Sequence, residues 1–274
     1  MKKMIRKLLA ATLLAGLLAG STGPVRVQAS SRYTIYVNRR TNIVNVVDNR
    51  KHKLARSMYC STGEHYSTVR GTFHTTNKYR WRALFGHTFG QYAIRFHGHY
   101  LFHSVPYGRT SRSRVKVSNY NKLGRQDSMG CVRMAVCDEK WLYDHTPIGT
   151  KVVIGDSRKM TKPTRKKLKI TNGKKYSWDP TDPAPGNPYR PKLGRTAMGK
   201  KTVEYGSKFD IKKMVSARSE YTDKPELLDH MKAKGKVNTK KPGTYKVKVT
   251  VTDPNTTLQT TKTFSFVVGE APEE

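Results

Sequence analysis

The sequence is poor in cysteines, acidic side chains and long apolar runs. It holds three cysteines among 274 residues, and its 19 acidic residues face 53 lysines and arginines, so the formal charge is +34. Beyond residue 29 no segment is apolar enough to cross a bilayer, which excludes further membrane spans. His97, His99 and His103 suggest a zinc site as an alternative, but Gly98 is expected to form a hairpin turn between the first two, and no cysteine or carboxylate is a clear fourth ligand. We therefore predict no metal site, and we predict no cofactor.

The positive charge predicts partners that are polyanions, because such a surface speeds encounter with them. The N-terminal residues described next predict export, and nucleic acid is a rare partner of an exported protein. We therefore expect no nucleic-acid role, and we expect the anionic polymers of a bacterial cell wall as partners. The alternative is that the basic surface only keeps the protein soluble.

The first 29 residues have the pattern of a signal peptide. A basic start with Lys2, Lys3 and Arg6 precedes an apolar run that ends near Gly20, and small residues lead to Ala29. This run is short for a membrane span, so we predict cleavage after Ala29, secretion, and membrane contact only during export. An uncleaved signal anchor is the alternative.

Residues 30–156 are predicted to form a mainly β domain. Runs rich in β-branched and aromatic residues predict strands, and one short helix is expected at Val136–Tyr143, capped by Asp138 or a neighbour. The predicted strands are Tyr33–Val37, Ile43–Val47, Ala55–Cys60, Gly71–Thr75, Tyr92–Phe96, Tyr100–Ser104 and Lys151–Ile154.

The rest of the chain predicts a linker and a second β domain. Residues 157–197 are basic and then rich in proline, which is typical of a semi-extended linker. Residues 198–270 become strand-like again, and 243–253 and 261–268 alternate in polarity around the turn at Pro254. This region is expected to form a small β-sandwich with a binding, spacing or anchoring role.

The strongest chemical signal is the run from Ser128 to Arg133, with His103 upstream. Cys131 follows the flexible Gly130 and is close to the cation Arg133. A thiol becomes a useful nucleophile beside a base or a cation. The null hypothesis for Cys131 is a small buried apolar residue, and for His103 it is a core histidine.

These residues resemble the YkuD family of L,D-transpeptidases. The family pattern is a histidine, a variable loop, and then Ser/Thr-x-Gly-Cys-apolar-Arg/Asn, which matches His103, Ser128 and the residues from Gly130 to Arg133. Further matches are Ser61-Thr62-Gly63, the run 68–73, and 100–107, which is similar to members from Gram-positive bacteria. The C-terminal region more weakly resembles bacterial Ig-like domains. The resemblance implies a YkuD-type β-sandwich followed by an Ig-like β-sandwich.

The resemblance also implies a reaction and roles for the site residues. Cys131 would attack a peptidoglycan tetrapeptide stem, release the terminal D-alanine and hold the stem as a thioester. His103 would be the general base and acid, oriented by the backbone carbonyl of Ser104. The backbone around Gly130 would form the oxyanion hole, and Arg133 would hold a substrate carboxylate or brace the loop.

Four residues are predicted to contact substrate, and two cysteines are predicted to pair. Met129 stands where many family members carry a second histidine, so it bears on substrate preference. The predicted substrate contacts are Ser128, Met129, Tyr92 and Trp81, although Ser128 could only shape its turn and Trp81 could be an ordinary strand residue. In an oxidising compartment, Cys60 and Cys137 suggest a disulfide, with two free buried thiols as the alternative.

Three functions stay open on the sequence alone. The first is an L,D-transpeptidase that cross-links peptidoglycan stems at the wall of a Gram-positive bacterium. The second is an L,D-carboxypeptidase, in which water attacks the same thioester. The third is a wall-binding protein without catalysis.

Overall fold

The computed structural model describes residues 31–171, 177–197, 199, 201–222 and 226–272. The predicted signal peptide lies outside these residues. In the described ranges, no helix has the length and apolar character that crossing a membrane requires. The fold is mainly β, as the sequence predicts.

Residues 31–156 build one large curled sheet with two α-helices. Its strand order is β4-β9-β1-β2-β3-β8-β7-β6-β5 within the described residues. The strands are β1 (Tyr33–Asn38), β2 (Ile43–Asp48), β3 (Lys53–Ser61), β4 (Gly71–His74), β5 (Lys78–Leu84), β6 (Thr88–His97), β7 (Tyr100–Ser104), β8 (Val132–Met134) and β9 (Lys151–Gly155), and the helices are α1 (Val117–Asn121) and α2 (Val136–His145). A single-turn 3₁₀ helix spans Glu64–Tyr66.

The curl of this sheet comes from its apolar side chains. Ile35 and Val152, from one part of the sheet, share a core cluster with Ile94 and Phe102 from the other part. All four side chains are fully buried. Burial of apolar area drives the two parts together, since each large side chain contributes about 1.5–3 kcal/mol.

Helix α2 is longer than predicted and is capped differently. No side chain of its own first turn caps it, and Asp138 instead pairs with Arg56 and Arg165. The Val136 N–H donates to Asp179 Oδ2 at 2.8 Å, and the Cys137 N–H donates to Thr181 Oγ1 at 3.1 Å. The cap therefore comes from a distant segment, and the prediction of Asp138 is wrong.

That segment belongs to the residues predicted as a linker. Thr161 exchanges two hydrogen bonds with Asn45, and Leu168 and Ile170 are buried in a second core cluster. Asp179 is fully buried. The part of 157–197 that carries Thr161, Leu168, Ile170 and Asp179 is therefore packed against the curled sheet and its helix, while residues 192–195 belong to the C-terminal core. The domain boundaries themselves stay predictions.

The C-terminal region forms two small sheets over one core. A four-stranded sheet has the order β11-β15-β14-β13, and β10 pairs with β12 in a separate ladder, counting described residues alone. The strands are β10 (Lys192–Arg195), β11 (Thr202–Val203), β12 (Val215–Arg218), β13 (Met231–Lys234), β14 (Gly243–Thr252) and β15 (Gln259–Val268), with α3 at Ile211–Met214 and a 3₁₀ turn at Leu228–His230. Leu193, Val247 and Phe266 share the core between them.

The predicted C-terminal hairpin is confirmed. Strands β14 and β15 pair antiparallel along their full length, and Asp253 closes the turn by accepting the N–H groups of Asn255 and Thr256. The Ig-like resemblance of the region stays a prediction.

Candidate active site

Strand pairing brings the motif together. Strands β7 and β8 run parallel, with His103 opposite Arg133, and Cys131 directly precedes β8. Neighbouring strands lie about 4.8 Å apart. His103 and Cys131 both line one cavity of about 600 Å³. Two segments separated in sequence thus deliver a thiol and an imidazole to the same place.

His103 is buried and held by its own strand. Its Nδ1 lies 2.5 Å from the carbonyl oxygen of Ser104. When Nδ1–H donates to that carbonyl, Nε2 is left as the proton acceptor. Burial, aided by the charge of Arg133, lowers the pKa of His103 to about 3 against the opposing Ser104 hydrogen bond. The imidazole is therefore neutral at neutral pH and able to accept a proton.

Cys131 is a thiol rather than a preformed thiolate. Burial raises its pKa, and this outweighs the lowering by a backbone hydrogen bond from Leu101 and by the charges of Arg133 and Arg95. Its Sγ lies 3.9 Å from the carbonyl oxygen of His99. A base must remove its proton when the thiol reacts.

The turn before Cys131 is fixed by short side chains. Ser128 Oγ donates to the Cys131 carbonyl at 2.5 Å and accepts the Gly130 N–H at 3.1 Å. Thr68 Oγ1 donates to the Gly130 carbonyl at 2.8 Å. Gly130 has φ +132°, and a Cβ there would lie 2.6 Å from the Tyr100 ring. The position requires glycine on both counts.

Two predicted roles change at this turn. The Gly130 N–H is engaged by Ser128, so it is not aimed at a substrate in this geometry. Ser128 is buried and shapes the turn instead of lining the cavity. Its predicted substrate contact is therefore corrected, in favour of the turn-shaping alternative.

Arg133 braces the loop and also faces the cavity. One guanidinium nitrogen donates to both the carbonyl and the carboxylate of Asp127, the latter at 3.1 Å. Asp127 also accepts from Lys122 and Asn119. The Arg133 Nε is buried and has no hydrogen-bond partner in the described structure, while the side chain lines the cavity. Both predicted roles of Arg133 are compatible with this position.

The rim of the cavity is apolar and cationic. Met129 and Phe85 are 71% and 82% exposed, respectively. The cavity is lined by Arg82, Ala83, Leu84, Phe85, Thr88, Arg95, His97, Gly98, His99, Tyr100, Leu101, His103, Pro106, Met129, Cys131 and Arg133. Met129 thus lies at the cavity, and its contact with substrate stays a prediction. Arginines suit a substrate that carries carboxylates.

Tyr92 and Trp81 do not line the cavity. Tyr92 is buried in the second core cluster, where Arg80 covers its ring at 4.0 Å. Trp81 packs edge-on against Tyr107 in the same cluster. Their expected substrate contacts are corrected, because both rings serve packing.

The predicted disulfide is absent from the structure, which holds all three cysteines as free thiols. Cys60 belongs to the first core cluster, and Cys137 packs against the second. The two side chains therefore face different parts of the core. Burial raises the pKa of both thiols, that of Cys137 to about 12.

The three histidines do not converge on one point. Gly98 forms the turn between β6 and β7 with φ +45°, as expected for a hairpin. The His97 ring stacks on the Tyr100 ring, whereas His103 is buried. The described residues contain no group of three or more potential ligands that could hold a metal ion.

Sequence reasoning missed Gly90 and Asp127. A Cβ at Gly90 would lie 2.9 Å from both Cβ and Nδ1 of His103, so glycine lets β6 approach the imidazole. Asp127 is the buried partner of Arg133. Asp127 could have been predicted, because it directly precedes Ser128 of the motif. No feature of the sequence indicated a role for Gly90.

Comparisons with known proteins agree with the motif. Residues 32–154 match the model of the YkuD family, the L,D-transpeptidase catalytic domain. "Putative L,D-transpeptidase YciB" of Bacillus subtilis strain 168 is 38% identical over 92 residues, which are 32% of this chain and 46% of that protein. The chain therefore spans less than half the length of the curated relative it matches.

Two solved structures are also similar over part of the chain. One is an L,D-transpeptidase from Mycobacterium smegmatis, with 17% identity, a TM-score of 0.37, and coverage of 45% of this chain and 58% of that one. The other is a fused Zn-dependent amidase/peptidase and peptidoglycan-binding protein from Clostridium acetobutylicum ATCC 824, with 25% identity, a TM-score of 0.35, and coverage of 45% and 51%. On its motif, its site geometry and the family match, the region of residues 32–154 is an L,D-transpeptidase catalytic domain of the YkuD family.

Proposed function

We propose that this chain is a secreted L,D-transpeptidase that cross-links peptidoglycan stems in the wall of a Gram-positive bacterium. The observation that carries the proposal is the pairing of β7 with β8, which sets His103 and Cys131 on one cavity. Secretion rests on the signal-peptide pattern of the first 29 residues.

The first half-reaction forms a thioester. His103 Nε2 takes the proton of Cys131 Sγ as the sulfur attacks the carbonyl carbon before the terminal D-alanine. The C–N bond then breaks, and the imidazolium returns its proton to the leaving amine. Because the Gly130 N–H is engaged by Ser128, we assign the Cys131 N–H as the candidate oxyanion donor.

The second half-reaction transfers the stem. The amine of a neighbouring stem attacks the thioester carbonyl, His103 removes the amine proton, and the Cys131 thiol leaves with that proton restored. Arg133 lines the cavity, and we propose that its Nε meets a stem carboxylate. Water in place of the amine would make the same enzyme an L,D-carboxypeptidase.

The test incubates purified protein with a disaccharide tetrapeptide and measures D-alanine and stem dimers. Wild-type protein and Cys137→Ala, the matched control for a second thiol outside the cavity, should both form dimers. Cys131→Ala should lose at least a thousandfold in rate, because it lacks the nucleophile. Tripeptide without dimer would establish the carboxypeptidase. Equal product from Cys131→Ala, or no product from wild type on stems with different third residues, would refute catalysis.

A further inference from the structure

A buried polar chain connects the catalytic histidine to residues outside the matched catalytic domain. Ser104, whose carbonyl contacts His103 Nδ1, accepts the backbone N–H of Gln91 on its Oγ at 2.8 Å. The Gln91 side chain in turn donates to Asp182 Oδ2 at 3.0 Å. Gln91, Ser104 and Asp182 are all fully buried.

The same stretch of backbone also touches the imidazole directly. Gly90 precedes Gln91, and a Cβ at Gly90 would lie 2.9 Å from His103 Nδ1. A shift of Gln91 would therefore move both the Ser104 contact and the wall behind the ring. Such coupling matters because displacement of a reacting group by about 1 Å can cost roughly a hundredfold in rate.

Asp182 is itself rigidly placed. Its Oδ1 accepts the Ala184 N–H at 2.9 Å, and Asn187 Nδ2 donates to the carbonyls of Asp179 and Asp182. Asp179 caps helix α2, which follows the strand after Cys131. The segment 179–187 thus buttresses the histidine side and the cysteine side of the site together. A flexible linker would make none of these contacts.

We infer that Asp182, acting through Gln91 and Ser104, is a positioning residue for His103. The inference rests on the proposed function where its test measures kcat. A carboxylate suits this place because its two oxygens each accept a hydrogen bond, one from the Gln91 side chain and one from the Ala184 N–H. Residues beyond the catalytic domain then set the orientation of its base.

The experiment compares Asp182→Ala with Asp182→Asn and Asp253→Ala in the full protein. Asparagine can keep both hydrogen bonds if the Gln91 amide turns over. Asp253 is the matched control, because it is also fully buried, with one oxygen on turn N–H groups and the other on the Ser219 hydroxyl. It lies in the C-terminal sheets.

We expect Asp182→Ala to lower kcat about tenfold with little change in KM, and to slow Cys131 alkylation by iodoacetamide about as much. Asp182→Asn should retain most of both rates. Asp253→Ala should lose thermal stability but keep both rates in its folded fraction. Alkylation, followed by peptide mass spectrometry, needs no substrate, so it decides the inference even if the proposed transpeptidation fails.

A second pair covers a failure of Asp182→Ala to fold. Gln91→Met removes the side-chain amide but keeps the side-chain length, and Gln126→Met removes a similar hydrogen bond, which the Gln126 amide donates to the Arg39 carbonyl. Gln91→Met should slow alkylation and Gln126→Met should not. Wild-type rates in folded Asp182→Ala or Gln91→Met, or equal losses in the control variants, would overturn the inference.

Discussion

At the scale of single residues, burial decides the charge of both reacting side chains. It lowers the pKa of His103 to about 3 and raises the pKa of Cys131, and the nearby Arg133 only partly offsets the second effect. The resting pair is therefore a neutral imidazole and a neutral thiol. Under the proposed function, proton transfer to His103 accompanies the attack by the Cys131 thiol.

Gly90→Ala should damage the site without touching substrate. The new Cβ would press on the His103 ring at 2.9 Å, and both the β6 backbone and the ring would have to shift. We expect a loss of roughly tenfold or more in kcat, measured by dimer formation. Gly155→Ala is the control, since nothing lies within 4 Å of its Cβ. Equal activity in both variants would contradict the packing argument.

The low pKa of His103 predicts a loss of stability in acid. Its ordinary pKa is near 6.5 and its folded value is about 3, so between these pH values the unfolded chain binds an extra proton. From pH 7 to pH 4, wild type should lose about 3 kcal/mol more unfolding free energy than His103→Gln. Urea unfolding at both pH values measures the difference. Parallel losses would contradict the buried, neutral state.

The residues of the motif could be predicted because its chemistry is local. Gly130, Cys131 and Arg133 are neighbours in sequence, and the His103 run carries its own pattern. Gly90 could not be predicted, because its role depends on which strand lies behind the imidazole. The places of Tyr92 and Trp81 could not be predicted either, because an aromatic residue suits a core and a substrate groove equally.

At the scale of elements, alternation predicts strands but not their partners. The hairpin of β14 and β15 follows from strict alternation around Asp253 and Pro254. A strand around Trp81 was only one of two alternatives, because charged residues interrupt the pattern of β5, and β8 was missed because it has only three residues. The cap of α2 lies more than forty residues away along the chain, beyond any local capping pattern.

Asp179→Ala should weaken the start of α2. The substitution removes the acceptor for the N–H groups of Val136 and Thr181 and for the Thr181 hydroxyl. Burial raises the Asp179 pKa to about 6, so part of the loss is offset at pH 7. We expect unfolding free energy to fall by about 1–2 kcal/mol in urea titrations. Asp229→Ala, at an exposed side chain, should change it by less than about 0.5 kcal/mol.

At the scale of the whole molecule, the catalytic domain and the C-terminal sheets share a strong positive charge. The formal charge is +34, and most lysines of the C-terminal strands point to solvent, Lys246 and Lys248 among them. Such a surface supports the proposal that anionic wall polymers are partners in addition to stem peptides.

Salt should therefore weaken binding to isolated cell walls. The attraction is screened over about 10 Å at 0.1 M salt, so we expect affinity to fall at least tenfold between 0.05 and 0.2 M NaCl. Co-sedimentation measures it, with Cys131→Ala expected to bind as wild type does. Walls stripped of phosphate polymers serve as the control substrate. Binding that is insensitive to salt would contradict the electrostatic account.

The most direct test of the catalytic account is the mass of the protein after brief exposure to a disaccharide tetrapeptide. A Cys131 thioester predicts an adduct equal to the substrate minus D-alanine, located on the Cys131 peptide and absent from Cys131→Ala. D-alanine release without any adduct, or an adduct on another residue, would contradict a Cys131 thioester as the intermediate.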